Sequence, residues 1–260
     1  MLFEGIVITR VPFKERDLIV KLLLRNGLLG SFYIYGGQGG GKRHKPTVFE
    51  PGSMMKIHIR ETKTRNMEGT ELLVAQEYSR TWEAASIRYN IQAFYLICLY
   101  FELVMKIAPS QQGQAETETT ETEGIFSVVS NALFYLENSL IQNKFEASQQ
   151  LMLFMVKLLF HMGIMPDTDH CGYCQANLLE SDAVSFVPAE GQFSCKNCFT
   201  GENEKGFLLR IKKGYQTRYQ DYPDLLGTNF YESDRLIQYF CHQFHLKTMD
   251  LRSYKLLFKS

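Results

Sequence analysis

Cys171-Gly172-Tyr173-Cys174 and, after twenty intervening residues, Cys195-Lys196-Asn197-Cys198 hold four of the six cysteines in a chain of 260 residues. Two residues between paired cysteines let a tight turn aim both sulfurs at one point. Two such turns supply four thiolates in a tetrahedron, the arrangement that Zn²⁺ prefers. The expectation is one structural zinc ion held by Cys171, Cys174, Cys195 and Cys198. Four thiolates close the coordination sphere to water and substrate, so such an ion shapes a segment and does not catalyse. His170 reads as a surface neighbour of this site, and Cys98 and Cys241, in apolar helical context, as small core residues.

Upstream of the cysteines the pattern is helical. Apolar residues recur at threes and fours from Thr81 through Trp82, Ala85, Tyr89, Ala93, Leu96, Tyr100 and Leu103, and stop at Pro109. Residues 110–123 lack any large apolar side chain and read as a polar insertion. Helices are expected again over 124–141 and 146–162, with Gly163 as the stop and Pro166 preventing resumption. Between the cysteine turns, residues 184–187 read as a strand. Beyond them an apolar piece over 207–211 and a last helix over about 232–244 are expected.

Residues 1–78 change period again. Strands are expected over 2–11, 17–25, 28–35, 54–60 and 72–76, with a break at Val11-Pro12 and a hairpin at Asn26-Gly27. Met55, Ile57 and Ile59 alternate with Lys56, His58 and Arg60, the period of a half-buried strand. Five short strands in so few residues suggest a small barrel of the OB type. The fold class is therefore α+β and multidomain, with an OB-fold β-barrel over 1–80 and a helical domain over 81–165. A four-cysteine zinc-finger element over 166–205 and a C-terminal segment over 206–260 complete it.

Hydrophobic content of 45% and charged content of 22% are those of an ordinary globular protein. The longest apolar run, residues 93–101, falls far short of the ~20 residues of a spanning helix, and no basic-then-apolar leader opens the chain. A cytoplasmic protein without a membrane role is expected, in which disulfides are disfavoured. Net charge is zero overall, yet residues 1–80 carry 13 Lys and Arg against 8 Asp and Glu, while residues 81–165 carry 4 against 8. A basic first third suggests a polyanion as partner.

The candidate contacts to that polyanion lie on the expected strands and their turns. Arg10, Lys14, Arg16, Lys21 and Arg25 come from the first two strands, and Lys56 and Arg60 from the fourth. Tyr33 and Tyr35 share a face of the third strand, where rings can stack on bases while cations track phosphates. Lys42, Arg43 and Lys45 sit on a glycine-rich hairpin tip. Gly36, Gly41 and Lys42 imitate a phosphate-binding loop, but Arg43 stands where Ser or Thr would hold Mg²⁺, and no helix follows, so no nucleotide is expected. No GxSxG or HExxH pattern marks a catalytic centre, and an enzyme is the minority reading.

The order of these elements resembles the RecO family of bacterial DNA repair proteins, which are recombination mediators. Gly5-Ile6-Val7, Glu15-Arg16-Asp17-Leu18-Ile19-Val20, Asn26-Gly27-Leu28-Leu29 and Phe49-Glu50-Pro51-Gly52 are similar to the family's opening barrel. Leu158-Leu159-Phe160-His161-Met162-Gly163-Ile164-Met165-Pro166 resembles the helix and exit before its zinc segment, and Leu246-Lys247 to Arg252-Ser253 its closing helix. The resemblance implies binding of single- and double-stranded DNA, annealing of complementary strands, and cooperation with RecR in loading recombinase onto strands coated by single-stranded-DNA-binding protein (SSB). It also implies that the SSB C-terminal tail is a partner. No catalytic residue is implied.

Overall fold

The structure, a computed structural model, describes residues 1–38, 46–65, 71–111, 123–198, 201–224 and 228–258, and of 46–47, 60–65, 71, 123 and 222–224 the backbone alone. The chain divides into two compact units, one of residues 1–89 and 103–134, the other of residues 90–102 and 135–260.

The first unit is built on five strands: β1 (Leu2–Phe13), β2 (Asp17–Leu24), β3 (Leu29–Ile34), β4 (Met54–Arg65) and β5 (Glu71–Trp82). They close into a barrel in the order β1-β2-β3-β5-β4, with β4 returning to β1. All neighbours run antiparallel except β3 and β5, which pair in parallel through Phe32↔Leu73 and Tyr33↔Val74. This is an OB-like barrel. Its interior follows from the two-residue period of a strand: Leu18, Val20, Leu22 and Leu24 of β2, Phe32 and Ile34 of β3, and Met55, Ile57 and Ile59 of β4 pack with Val7 and Phe49. Lys56 and His58, one step out of phase on β4, are exposed. The Asn-Gly hairpin is present, with Gly27 at φ 79° and the Asn26 side chain accepting from the Leu28 N–H at 3.2 Å.

Several boundaries depart from the sequence reading, among them the end of β4, which runs to Arg65 and not to residue 60. β1 does not break at Val11-Pro12 but runs to Phe13, with Pro12 opposite Leu18. Only residues up to Ile6 pair with β4, so Pro12 has a paired neighbour on one side alone, where a missing N–H costs no ladder bond. β5 extends to Trp82, which pairs with Met54. The helical period read from Thr81 accordingly begins too early. Tyr89 lies in a 3₁₀ turn (Ile87–Tyr89) and is 85% exposed. The helix proper starts at Ile91, where Asn90 caps it by accepting from the Ala93 N–H at 3.0 Å.

α1 (Ile91–Ile107) and α2 (Glu123–Ile141) each pass from one unit to the other. Among the described residues, α2 is the one helix long and apolar enough to cross a membrane by length and composition, a segment that a search for uninterrupted apolar runs passes over because Asn131, Glu137 and Asn138 interrupt it.

In the second unit α3 (Ala147–His161) packs on α4 (Lys205–Gln216) and α5 (Phe230–Gln243), and α6 (Arg252–Phe258) follows. Glu146 and Met162 cap α3, and Gly163 turns the chain at φ 69°, a conformation that L side chains rarely adopt. Tyr100 of α1 stacks on Phe154 of α3 with centroids 3.7 Å apart. Arg210 forms a two-pronged pair with the buried Glu232. The short hairpin β6 (Val184–Val187) and β7 (Gln192–Cys195) lies against these helices through Phe186, Phe193 and Phe207, whose rings sit 4.8–5.8 Å apart. The outer rung of β6 is closed by side chains. Glu204 accepts from the Phe186 N–H at 2.6 Å, and Arg235 donates to the Phe186 carbonyl and to Glu204.

Gly5 leaves no room for a side chain between β1 and β2, since an added Cβ would lie 2.6 Å from the Leu23 carbonyl oxygen. Gly5→Ala is therefore expected to destabilise the chain by about 1–3 kcal/mol, read as a lowered urea midpoint. A midpoint equal to that of the parent would show that the strands can part there without cost.

Candidate metal centre and nucleic-acid interface

The two cysteine turns meet. Their four sulfurs lie within 4.8 Å of one another, with Cys171 and Cys195 buried and Cys174 and Cys198 exposed. Local backbone chemistry sets this up. The Cys171 carbonyl accepts from the Gln175 N–H at 2.9 Å, which curls the first turn and holds Gln175 at φ 60°. In the second turn the Cys198 N–H reaches the Cys195 carbonyl at 3.0 Å. The pairing of Val184 with Cys195 anchors the second turn to the hairpin, and the Gly172 N–H to the Phe193 carbonyl anchors the first.

The donor set fits a thiophilic divalent ion. Sulfurs ~2.3 Å from a shared zinc sit about 3.8 Å apart at the corners of a tetrahedron, and Cys174 Sγ and Cys195 Sγ are 3.6 Å apart. A disulfide needs ~2.05 Å. Burial pushes the Cys171 thiol up, but the amide N–H groups of Cys174, Cys195 and Tyr173 outweigh it and bring it down to about 6. Cys198 is held up to about 12, chiefly by its hydrogen bond with Cys174. The thiolate is thus favoured at Cys171, and a divalent ion held by the four sulfurs would displace the remaining protons. His170 is no part of the group, since its Nδ1 faces Asp167 at 3.3 Å. Cys98 and Cys241 lie elsewhere, their thiols each pushed up to about 11 by burial, away from the thiolate form.

On the barrel, the sequence candidates separate into two groups. At the start of β1, Glu4 takes Arg25 at 2.7 Å and Lys56 at 2.8 Å, and Arg25 lies over the Phe126 ring at 5.9 Å. Lys56 is directly opposite Glu4 across the β1–β4 ladder. The Lys56 ammonium first, and Arg25 with it, holds the Glu4 carboxyl below the usual range. Two of the expected phosphate contacts therefore already share a carboxylate, a cross-strand pairing that charge counting along the sequence does not reveal.

The other group surrounds the β1–β2 turn. Arg10, Lys14 and Arg16 are exposed and Lys21 is half-buried. Tyr33 departs from the reading of an exposed stacking ring. It is 3% exposed, its hydroxyl donates to Asp17, and Phe13 and Tyr35 meet it edge-to-face at 5.6 and 4.6 Å. Tyr35, by contrast, is 62% exposed. Lys14 Nζ lies 5.5 Å from the Phe13 ring and 5.8 Å from the Tyr33 ring. Lys42, Arg43 and Lys45 lie outside the described residues, and Arg60 is described in its backbone alone.

Asp17 and Gln38 are the residues that sequence reasoning missed here. Asp17 accepts from the Tyr33 hydroxyl and, at 2.8 Å, from the Gly36 N–H. The Gln38 N–H reaches the Arg16 carbonyl at 2.9 Å, and its side chain donates to the carbonyls of Asp17 at 2.8 Å and Lys14 at 3.3 Å. The turn after β3 is thereby tied to the turn after β1. An aspartate opening a strand just after a turn is the only signal, and it is common to many turns.

Two outcomes follow. Replacing Cys174 or Cys198 by Ser should reduce bound metal and lower the melting temperature by about 5–10 °C, measured by metal analysis and calorimetry; full metal with unchanged melting would remove the structural role. Asp17→Ala leaves Tyr33 and Gly36 without their acceptor and should cost about 1–3 kcal/mol at pH 7. The Tyr33 hydroxyl, then the Gly36 N–H, depress the Asp17 carboxyl, so its stabilisation is present above the ordinary value of 3.8 and is lost as the pH falls through the lower folded value. The gap between parent and variant should accordingly narrow in denaturation at pH 3.

Comparison with known proteins bears on both sites. Residues 89–208 match the family described as "Recombination protein O C terminal". A DNA repair protein RecO of Thermodesulfovibrio yellowstonii is 23% identical over 80% of this chain and 74% of its own length. Those of Myxococcus xanthus and Maridesulfovibrio salexigens are 26% and 24% identical, over 75% and 77% of this chain and 71% and 74% of their own lengths. The chain is distantly homologous to RecO proteins.

Proposed function

We propose that this protein is a non-catalytic DNA repair and recombination mediator. It binds single- and double-stranded DNA, anneals complementary strands, and works with RecR to load recombinase onto strands coated by SSB, engaging the SSB C-terminal tail. The observation that carries the reading is the exposed group of Lys14, Arg16 and Tyr35 on an OB-like barrel, in a chain distantly homologous to RecO proteins. Annealing brings two polyanions together. A basic surface lowers that repulsion while leaving bases free to pair, and no bond is made or broken, so neither a catalytic residue nor a nucleotide enters.

In this reading residues 1–80 meet DNA, residues 81–165 and 206–260 form the helical part, and one structural Zn²⁺ sits in residues 166–205 on Cys171, Cys174, Cys195 and Cys198. The protein works in the cytoplasm, at the nucleoid. Affinity falls with salt by roughly 0.7 log units per log of salt for each phosphate neutralised on a single strand.

A second reading, a zinc-stabilised protein-interaction adaptor that binds no nucleic acid, draws on the neutralisation of Arg25 and Lys56 by Glu4. One titration separates the two. Reversing the charge at Arg10, Arg16, Lys21, Lys42, Arg43 and Lys45 should weaken single-stranded DNA binding at least about tenfold at fixed salt and flatten its salt dependence, with zinc near one per chain. Unchanged affinity by fluorescence anisotropy would refute the barrel as the DNA site, and a parent chain that binds no DNA leaves the adaptor.

A further inference from the structure

The turn after β3, held against the β1–β2 turn, presents one ring in a setting that the other described residues of the barrel surface do not repeat. Tyr35 follows β3 and is 62% exposed, while Tyr33 beneath it is 3% exposed. The contact between them is edge-to-face at 4.6 Å and 77°. Tyr33 in turn is held at both ends, by Phe13 at its ring and by Asp17 at its hydroxyl. The backbone before Tyr35 belongs to β3 and the backbone after it is tied down, since the Gly36 N–H is bound to Asp17 and Gln38 to the Lys14–Asp17 turn. Little ordering entropy remains to be lost when something flat lands on the ring.

The neighbouring charges are cationic on balance. Lys14 and Arg16 are exposed on the facing turn with Glu15 between them, and Asp17, beneath the ring pair, is engaged by Tyr33 and Gly36. A rigid exposed ring with phosphate-binding cations beside it discriminates by strand state. In a duplex both faces of an interior base are covered by its neighbours, and only the phosphates are offered. An unpaired base has a free face, and stacking on an aromatic side chain is tolerant of sequence because every base has one.

We infer that Tyr35 is the residue by which this barrel distinguishes unpaired from paired DNA, stacking on a base of a single strand while Lys14 and Arg16 serve both forms through phosphate. This rests on the DNA-binding function proposed above and assigns the discrimination to one side chain. Tyr33 and Asp17 are positioning residues for it.

The test uses the full chain with Tyr35→Ala, Tyr35→Leu and Tyr35→Phe, titrated at fixed salt against a single-stranded oligonucleotide carrying 2-aminopurine and against a duplex of the same sequence. Alanine and leucine should each weaken single-strand binding about five- to a hundred-fold, abolish the stacking-dependent change in 2-aminopurine fluorescence, and leave duplex affinity within about twofold. Phenylalanine, which keeps the ring, should restore both single-strand signals. The salt slope should stay as in the parent, because no phosphate contact is removed. Equal losses on both DNA forms, rescue by leucine as good as by phenylalanine, or unchanged single-strand affinity in the alanine variant would each overturn the assignment. A parent chain that binds neither form overturns the underlying function together with it, so the two failures are told apart.

Discussion

Closure of the barrel is the constraint on which the rest of the first unit depends. A five-stranded sheet that returns to its own first strand has no interior left to offer. Val7, Val20, Leu22, Phe32 and Ile57 are 0% exposed, and with their neighbours they fill it. Any partner must be met on the outside, and the outside is itself partly taken. Ile6, Ile8 and Leu23, which alternate away from the interior set or sit beside the bulge in β1, are equally buried. What remains open lies along β4 and β5, at Lys56, His58, Gln76 and Glu77, and at the β1–β2 turn, where hydrogen bonds between loops hold the chain. The same closure makes the parallel pairing of β3 with β5 obligatory, and so delivers the chain after β3 to the turn after β1.

The zinc-type element obeys a different economy. A hairpin with four residues per strand cannot hold its own shape, and its support comes from two directions. The sulfurs converge on one side, and Phe186 and Phe193 meet Phe207 and Tyr239 of the helices on the other. Tyr239 also donates through its hydroxyl to the Ile164 carbonyl at 2.6 Å, fixing the exit from α3. Loss of the sulfur side therefore leaves the aromatic side in place, which is why a graded loss of stability fits this element better than wholesale unfolding.

Much of this was legible in the residues, for reasons that differ from place to place. The helix over 146–162 was read to within a residue because a glycine stop followed by a proline is local chemistry, and the strand over 184–187 because three apolar residues, Val184, Phe186 and Val187, stood between two turns. The cysteine cluster was legible because sulfur spacing leaves few alternatives. What escaped was non-local. Pro12 could continue a strand only because β4 had already left β1, and Trp82 belonged to a strand because Met54 lay opposite it. On the candidate interface, alternation placed Tyr33 outward correctly, but outward is not exposed once Phe13 and Tyr35 close over the ring. Arg25 and Lys56 were legible as cations, while the glutamate between them was visible only after two ladders had been registered.

The closed rung at Phe186 has a consequence for assembly. A two-stranded sheet is the smallest template to which a third strand can be added, and its free edge is where a peptide or another copy of the chain would dock. Here the N–H and carbonyl that an incoming strand would need are both spoken for, by a carboxylate and a guanidinium that also hold each other. A newcomer would have to part an ion pair and strand two charges before gaining its first backbone hydrogen bond. The hairpin is thus sealed along the edge opposite β7, and a lengthening sheet is closed to it on that side.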